Sequence, residues 1–204
     1  MPIDAVVHVI DDDEAVRDSV AFLLGSAGLT VRAYESARQF LDSATDLLGT
    51  CIVTDVRMPG VSGIELLRTL RDRGDVVPVI IMTGHGDVPL AVEAMKLGAA
   101  DFLEKPFDDE ALLAAVRNAS AGAATSTSRD ARAVEIRARI AILTERERQV
   151  MDGLIEGHPN KVIAFDLGIS PRTVEIYRAN VMTKMQAASL SELVRMALLV
   201  APDA

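Results

Sequence analysis

The stretch Cys51-Ile52-Val53-Thr54-Asp55-Val56-Arg57-Met58-Pro59-Gly60 decides the fold of this 204-residue chain. Its apolar start has the composition of a buried strand, and Pro59-Gly60 is a turn signal. Between the two stands a carboxylate. Working outward, the same pattern recurs. Val6-Val7-His8-Val9-Ile10 ends in Asp11-Asp12-Asp13, Val79-Ile80-Ile81-Met82 ends in Thr83-Gly84, and Phe102-Leu103-Glu104 ends in Lys105-Pro106. Four strand-like segments therefore each deliver a chemical group at the carboxyl end: an acid pair, a lone acid, a hydroxyl and an amine. In an open parallel sheet, ligands bind beyond those ends. The set suits a divalent cation and a phosphoryl group, with Asp55 as acceptor.

Up to about residue 118, apolar runs near 6–10, 29–34, 51–54, 78–82 and 99–103 alternate with stretches of helical spacing near 14–27, 36–47, 62–72, 87–97 and 108–118. Alternating strand and helix predicts an α/β fold with a parallel sheet covered on both faces. Five such units match the compact flavodoxin-like (βα)5 order. Residues 119–130 are small and polar and read as a linker. Ala131 to Leu143 is charged and periodic, a connecting helix.

Beyond it no strand is expected. Thr144-Glu145-Arg146-Glu147 has the form of a capping box, opening a helix through Leu154. Gly157-His158-Pro159 breaks it. A short helix follows from Lys161 to Leu167, then a Gly168-Ile169 turn. Ser170-Pro171 supplies an N-cap and a first-turn proline for a helix to about Met185. A fourth helix covers Ser189 to Leu199, completing a small all-α domain.

Composition narrows the function classes. Half of the residues are hydrophobic and 3% are aromatic, with no Trp, so stacking on bases or sugars is not the main mode of recognition. The single cysteine, Cys51, excludes a disulfide framework and fits a reducing compartment. The N-terminus shows no signal peptide, and no run approaches a membrane span, so a cytoplasmic protein without membrane association is expected. Residues 1–137 hold 13 Lys and Arg against 22 Asp and Glu, whereas residues 138–204 hold 8 of each. The acidic part suits a metal ion; only the neutral part could approach nucleic acid without strong repulsion.

Asp11-Asp12, Asp55, Thr83 and Lys105-Pro106, in this order and strand context, resemble the motif of a response-regulator receiver domain, the phosphorylated half of a bacterial two-component system. The resemblance covers residues 1–118 and implies Mg²⁺, or another divalent cation such as Mn²⁺. It makes Asp12 and Asp55 direct ligands, with Asp11 acting through water and Arg57 through its carbonyl. Such a set fits Mg²⁺, which takes few carboxylates and keeps several waters. Asp55 is then the nucleophile, and Lys105 offsets charge on the phosphoryl oxygens. Thr83 contacts the phosphoryl group, and Phe102 reports the switch through packing. The face built from residues 87–97 and 99–103 is the implied dimerisation surface.

Residues 144–204 resemble the LuxR-type helix-turn-helix, placing the whole chain in the NarL/FixJ class. The matching stretches are Leu143-Thr144-Glu145-Arg146-Glu147, Asn160-Lys161-Val162-Ile163-Ala164, Leu167-Gly168-Ile169-Ser170, Thr173-Val174-Glu175, Arg178, Asn180-Val181 and Lys184-Met185. Gly84-His85-Gly86-Asp87-Val88-Pro89 and Pro159-Asn160-Lys161 are most like the nitrogen-fixation regulators of rhizobia, which implies nitrogen-fixation genes as targets. Tyr177 departs from the family's usual His.

On the helix from Pro171, Val174, Tyr177, Val181 and Met185 recur at core spacing and leave the opposite side for the major groove. Lys161, Arg172, Thr173, Arg178, Asn180 and Lys184 are the expected phosphate contacts, and Glu175, Ile176 and Ala179 the expected base contacts. Three cations against one anion over residues 170–184 make a modest basic patch, so DNA binding should need a dimer. A histidine kinase, promoter DNA, a second copy and RNA polymerase are the implied partners. A metal-dependent phosphatase is a different reading of Asp55, but such hydrolases need an acid two residues later, where Arg57 stands. A degenerate receiver is a third, and the intact acid, hydroxyl and amine set argues against it.

Overall fold

The computed structural model describes residues 6–43, 47–84, 88–120 and 126–201, with the side chains of 88 and 126–131 left aside. The chain divides into two compact units, residues 1–85 with 97–122, and residues 86–96 with 123–204.

The first unit is built on five parallel strands, β1 (Val6–Ile10), β2 (Thr30–Tyr34), β3 (Thr50–Asp55), β4 (Val79–Thr83) and β5 (Asp101–Glu104). Their order is β2-β1-β3-β4-β5, so the central strand is β3, whose last residue is Asp55. The helices α1 (Glu14–Ser26), α2 (Ala37–Ser43), α3 (Gly63–Asp72) and α5 (Asp109–Ser120) belong to this unit, whereas α4 (Val88–Lys96) is counted with the second. Side chains alternate across a strand. Val7, Val9, Cys51, Val53, Ile80 and Met82 form one core with Val20 and Leu24 of α1 and Leu112 and Val116 of α5. The alternate residues Ile10, Ile52 and Ile81 are fully buried too, as are Phe40 of α2 and Leu66, Leu67 and Leu70 of α3. Burial on both faces explains why β1, β3 and β4 read as continuous apolar runs. The edge strand β2 is largely exposed, which is why its run is the weakest.

His8 lies on that second face. Its Nδ1 is 3.1 Å from the Tyr34 hydroxyl, and its ring packs edge-on to Phe40. Burial, with the nearby Arg32 charge adding to it, holds its pKa below the usual imidazole range. It is a neutral core residue. Burial likewise pushes the Cys51 thiol up to about 12, so it is inert.

The second unit holds α4, α6 (Ser126–Ala141), α7 (Glu145–Glu156), α8 (Asn160–Leu167), α9 (Pro171–Met185) and α10 (Leu190–Val200). Thr144 and Glu147 form the expected capping box, and Gly157, at φ 87°, ends α7 in the left-handed region where glycine carries no Cβ penalty. Ser170 caps α9 with Pro171 in the first turn. Val150, Val174, Val181, Met185, Leu193 and Val194 are fully buried and make the core of this bundle. Tyr177, expected inside, is half-buried.

The connecting helix is longer toward its N-terminus than the expected Ala131 to Leu143. It starts at Ser126, inside the stretch read as linker, and stops at Ala141. Ala133 and Ile136 are buried in the second unit, and packing of an apolar face outweighs the poor propensity of a Ser/Thr-rich first turn. Residues 121–125 of the expected linker, His85-Gly86-Asp87 and the first five residues lie outside the described residues. Among the described residues, no helix is long and apolar enough to cross a membrane.

Candidate functional site

Asp55 ends β3 and Asp11 follows β1; the two strands are neighbours, and β1 residue Ile10 registers with Thr54. Parallel pairing therefore brings both carboxylates to one edge of the sheet. Lys105, just past β5, reaches across to them. Its Nζ donates to Asp55 Oδ1 at 2.5 Å and to Asp11 Oδ2 at 2.9 Å. The second oxygen of each acid is held by backbone: Asp55 Oδ2 accepts from Arg57 N–H at 2.6 Å, and Asp11 Oδ1 from Asp13 N–H at 3.0 Å.

The Asp11 side chain is only 2% exposed, the Asp55 side chain 12% and that of Lys105 25%. Burial raises the Asp11 pKa above the usual carboxylate range, the Asp55 charge adding to it, while the Lys105 ammonium and Asp13 N–H pull the other way. Burial alone would lower the Lys105 pKa, but hydrogen bonds to Asp55 and Asp11, and their charges, leave it raised. The Lys105 ammonium thus favours the ionised form of Asp11 against burial and the Asp55 charge, and the two acids favour the ionised form of Lys105. Asp12 is exposed, and its carboxylate has no hydrogen-bond or ion-pair partner among the described residues.

Thr83, at the end of β4, is buried, with its hydroxyl 3.4 Å from the Gly84 carbonyl. Phe102 of β5 is buried as well, and the Lys105-Pro106 bond is cis. Arg57 is exposed. Of the sequence-predicted site residues, the sheet edge brings Asp11, Asp55 and Lys105 into direct contact. Thr83 stands on β4, next to β3 and paired in register with Glu104, the residue before Lys105.

Two supports escaped the sequence reading. Asp13 is the N-cap of α1, its side chain accepting from Ala15 N–H and Val16 N–H. Gly63 opens α3 where a Cβ would collide with the Asp55 carbonyl, and its N–H donates to the Val56 carbonyl at 3.1 Å. Only glycine lets α3 begin so close to the end of β3.

In the second unit, Arg172, Glu175, Ile176, Ala179, Asn180 and Thr183 form the exposed side of α9, with Thr173, Arg178 and Lys184 half-buried. Lys161 of α8 is exposed. Lys161, Arg172, Glu175 and Arg178 have no hydrogen-bond or ion-pair partner among the described residues. Lys184 is different: its Nζ donates to Glu147 Oε2 at 2.6 Å, tying the last turn of α9 to the first turn of α7. The Thr173 hydroxyl lies 2.7 Å from Ser170 Oγ and belongs to the cap.

Comparison with known proteins bears on both units. Residues 7–117 match the response regulator receiver domain, and residues 141–197 match the bacterial regulatory proteins of the luxR family. The chain is 67% identical over 201 residues to the transcriptional regulatory protein FixJ of Azorhizobium caulinodans, covering 98% of this chain and 94% of that one. The FixJ of Rhizobium meliloti is 53% identical, with 96% of each chain covered. Among solved structures, full-length FixJ from B. japonicum is similar at 57% identity and a TM-score of 0.57, covering 96% of this chain and 97% of that one.

The chain is a response regulator of the FixJ type. As in other response regulators of this class, a receiver precedes a LuxR-type DNA-binding domain, which is the make-up of a phosphorylation-dependent transcription regulator. The five-stranded parallel receiver fold is the one expected from the alternating runs. In this response regulator the sequence motif pointed to Asp11, Asp55 and Lys105 without showing that Lys105 bridges both acids, and it gave no sign that Lys184 is held by Glu147.

Proposed function

We propose that Asp55 accepts a phosphoryl group from a histidine kinase and that this promotes receiver dimerisation and binding to promoter DNA. The observation that carries the reading is the Lys105 ammonium lying between Asp11 and Asp55. A nucleophilic carboxylate must stay ionised, and the transferred group brings about two negative charges that need a cation at hand. Attack by an Asp55 oxygen forms the new O–P bond as the P–N bond to the donor's histidine breaks, and the electron pair leaves with the imidazole. Arg57 N–H, hydrogen-bonded to Asp55 Oδ2, holds the carboxylate so that one oxygen faces the phosphorus.

No three His, Cys, Asp or Glu side chains gather into a metal cage among the described residues. Mg²⁺ binds through one or two carboxylates plus water and phosphate oxygens, and so does not require such a cage. Asp12, exposed and without a side-chain partner among the described residues, would hold it with Asp55 and the Arg57 carbonyl, and Asp11 would act through water. When bound, the ion neutralises charge on the phosphoryl oxygens. Thr83 donates its hydroxyl to the phosphoryl group, and Phe102 conveys the change by repacking.

The receiver is residues 1–118, the segment 119–143 connects, and 144–204 reads DNA. Arg172, Arg178, Asn180, Lys161 and Thr173 contact phosphates, while Glu175, Ile176 and Ala179 meet base edges. Lys184 serves this surface through the ion pair that holds α9. The regulator acts in the cytoplasm as a dimer that engages RNA polymerase. The FixJ names of its relatives support nitrogen-fixation genes as targets.

The test is intact mass after incubation with Mg²⁺ and a small phosphodonor. One phosphoryl group is expected on the wild type and none on Asp55→Asn. An adduct of equal yield on the variant, or none on the wild type even with its kinase, removes Asp55 from the role.

A further inference from the structure

Arg17, on the first turns of α1, was not among the expected site residues. Its Nη1 donates to the Asp11 backbone carbonyl at 2.8 Å. Every other polar group of Asp11 is also engaged. Its N–H donates to the Tyr34 carbonyl at 3.2 Å, Oδ1 accepts from Asp13 N–H, and Oδ2 accepts from Lys105. Asp12 is the contrasting neighbour: exposed, with no side-chain partner among the described residues. What aims the Asp12 carboxylate is therefore backbone alone. The peptide that precedes it is the Asp11–Asp12 bond, whose plane is set by where the Asp11 carbonyl points.

We infer that Arg17 is a positioning residue for the divalent cation: by holding the Asp11 carbonyl it presets the direction in which Asp12 leaves the chain. This rests on the reading of Asp12 as a metal ligand. The guanidinium is planar and always charged, so it orients a carbonyl more firmly than a hydroxyl or water would. Asp13 fixes the far side of the same turn by capping α1. The acid turn is thus clamped on both sides of Asp12, while Asp12 itself stays open to a ligand. Partners of this outer kind commonly set metal affinity by a factor of 10 or more.

The sign of the effect separates positioning from simple electrostatics. Arg17 is a cation beside an acidic site. Removing it would strengthen attraction for a divalent cation if charge were all that mattered. If Arg17 orients Asp12, its removal weakens binding instead. The experiment is titration of the full-length, unphosphorylated protein with Mn²⁺, following loss of the free-ion electron paramagnetic resonance signal. The wild type is compared with Arg17→Met, Arg17→Lys and Asp12→Asn, and metal-free thermal unfolding is run on each.

Arg17→Met should raise the Mn²⁺ dissociation constant about tenfold. Arg17→Lys, which keeps a donor and the charge, should recover part of the loss, and Asp12→Asn should lose more than either. If Arg17→Met, or Arg17→Lys where Met does not fold, binds Mn²⁺ as tightly as the wild type or more tightly, the positioning role is wrong. Lower thermal stability with unchanged Mn²⁺ binding assigns Arg17 to the fold alone and also overturns it. If wild type and Asp12→Asn bind Mn²⁺ alike, the metal site itself has been misread and the inference falls with it.

Discussion

The acid pocket of the first unit and the exposed side of α9 in the second use charge in opposite ways. At the pocket, Asp11, Asp55 and Lys105 are buried or nearly so, and each ionised atom already has a partner. On α9, Arg172, Glu175 and Arg178 have none among the described residues. Chemistry at a phosphorus needs groups held in place before the substrate arrives, because the orientation is settled in advance of reaction. Reading a duplex needs groups that are still available, since the phosphates and base edges are their partners. A side chain already committed within the protein belongs to the first kind even when it sits on the second surface. Lys184 is that case, held by Glu147 at 2.6 Å.

Four substitutions would break or sharpen this contrast. The largest effect is expected for Lys105→Met. It leaves Asp11 and Asp55 without their shared cation, raises the Asp11 pKa further, and removes a preorganised donor from the developing charge. Phosphorylation by a small phosphodonor at saturating Mg²⁺ should slow by about 10²–10³-fold, the usual loss for one such donor. A rate within threefold of wild type would mean that the bridge only fills the pocket until a cation arrives.

Arg172→Ala is intermediate. As an open cation it should lower affinity for a generic duplex by less than about tenfold and reduce the salt slope by about one contact. Lys184→Ala should leave that slope near wild type if Lys184 is committed to Glu147. A slope reduced equally by both would put Lys184 on the phosphates instead.

The smallest and most pH-dependent effect is that of Glu147→Gln. The Lys184 ammonium, then the Thr144 N–H, pull the Glu147 carboxyl from about 4.5 down to about 2. A carboxyl with a depressed folded-state pKa stabilises the protein above its unfolded value and loses that contribution as pH falls through the folded one. The second unit of the wild type should therefore lose thermal stability between about pH 4.5 and 2. The Gln variant should begin lower at neutral pH and fall less across that window. Parallel curves for the two proteins would show that the pair contributes nothing measurable.

How far these features were legible in the sequence depends on whether a residue announces its partner. Asp55, Asp11 and Lys105 stand at strand ends, so topology alone brings them together once the sheet order is known. Ser170-Pro171 and Thr144 with Glu147 are local signals whose partners lie within a turn. Arg17, Gly63 and the Glu147–Lys184 pair announce nothing. A guanidinium on a helix, a glycine in a first turn and two opposite charges 37 residues apart look ordinary until the chain has folded. The N-terminal part of α6 failed for a related reason. Ser126-Thr127-Ser128 has linker composition, and the burial of Ile136 that favours the helix is a property of the second unit, not of that stretch.

The Lys105 bridge also has a consequence for timing. Its two contacts close loops of 50 and 94 residues, the second spanning most of the receiver. Contacts so distant along the chain form late, since they wait until the intervening segments have ordered. A ribosome-bound chain that has not yet released Lys105 carries Asp55 but lacks the cation that keeps it company. Competence to accept phosphate should therefore arrive together with the last strand, making phosphate uptake by nascent chains a clock for completion of the sheet.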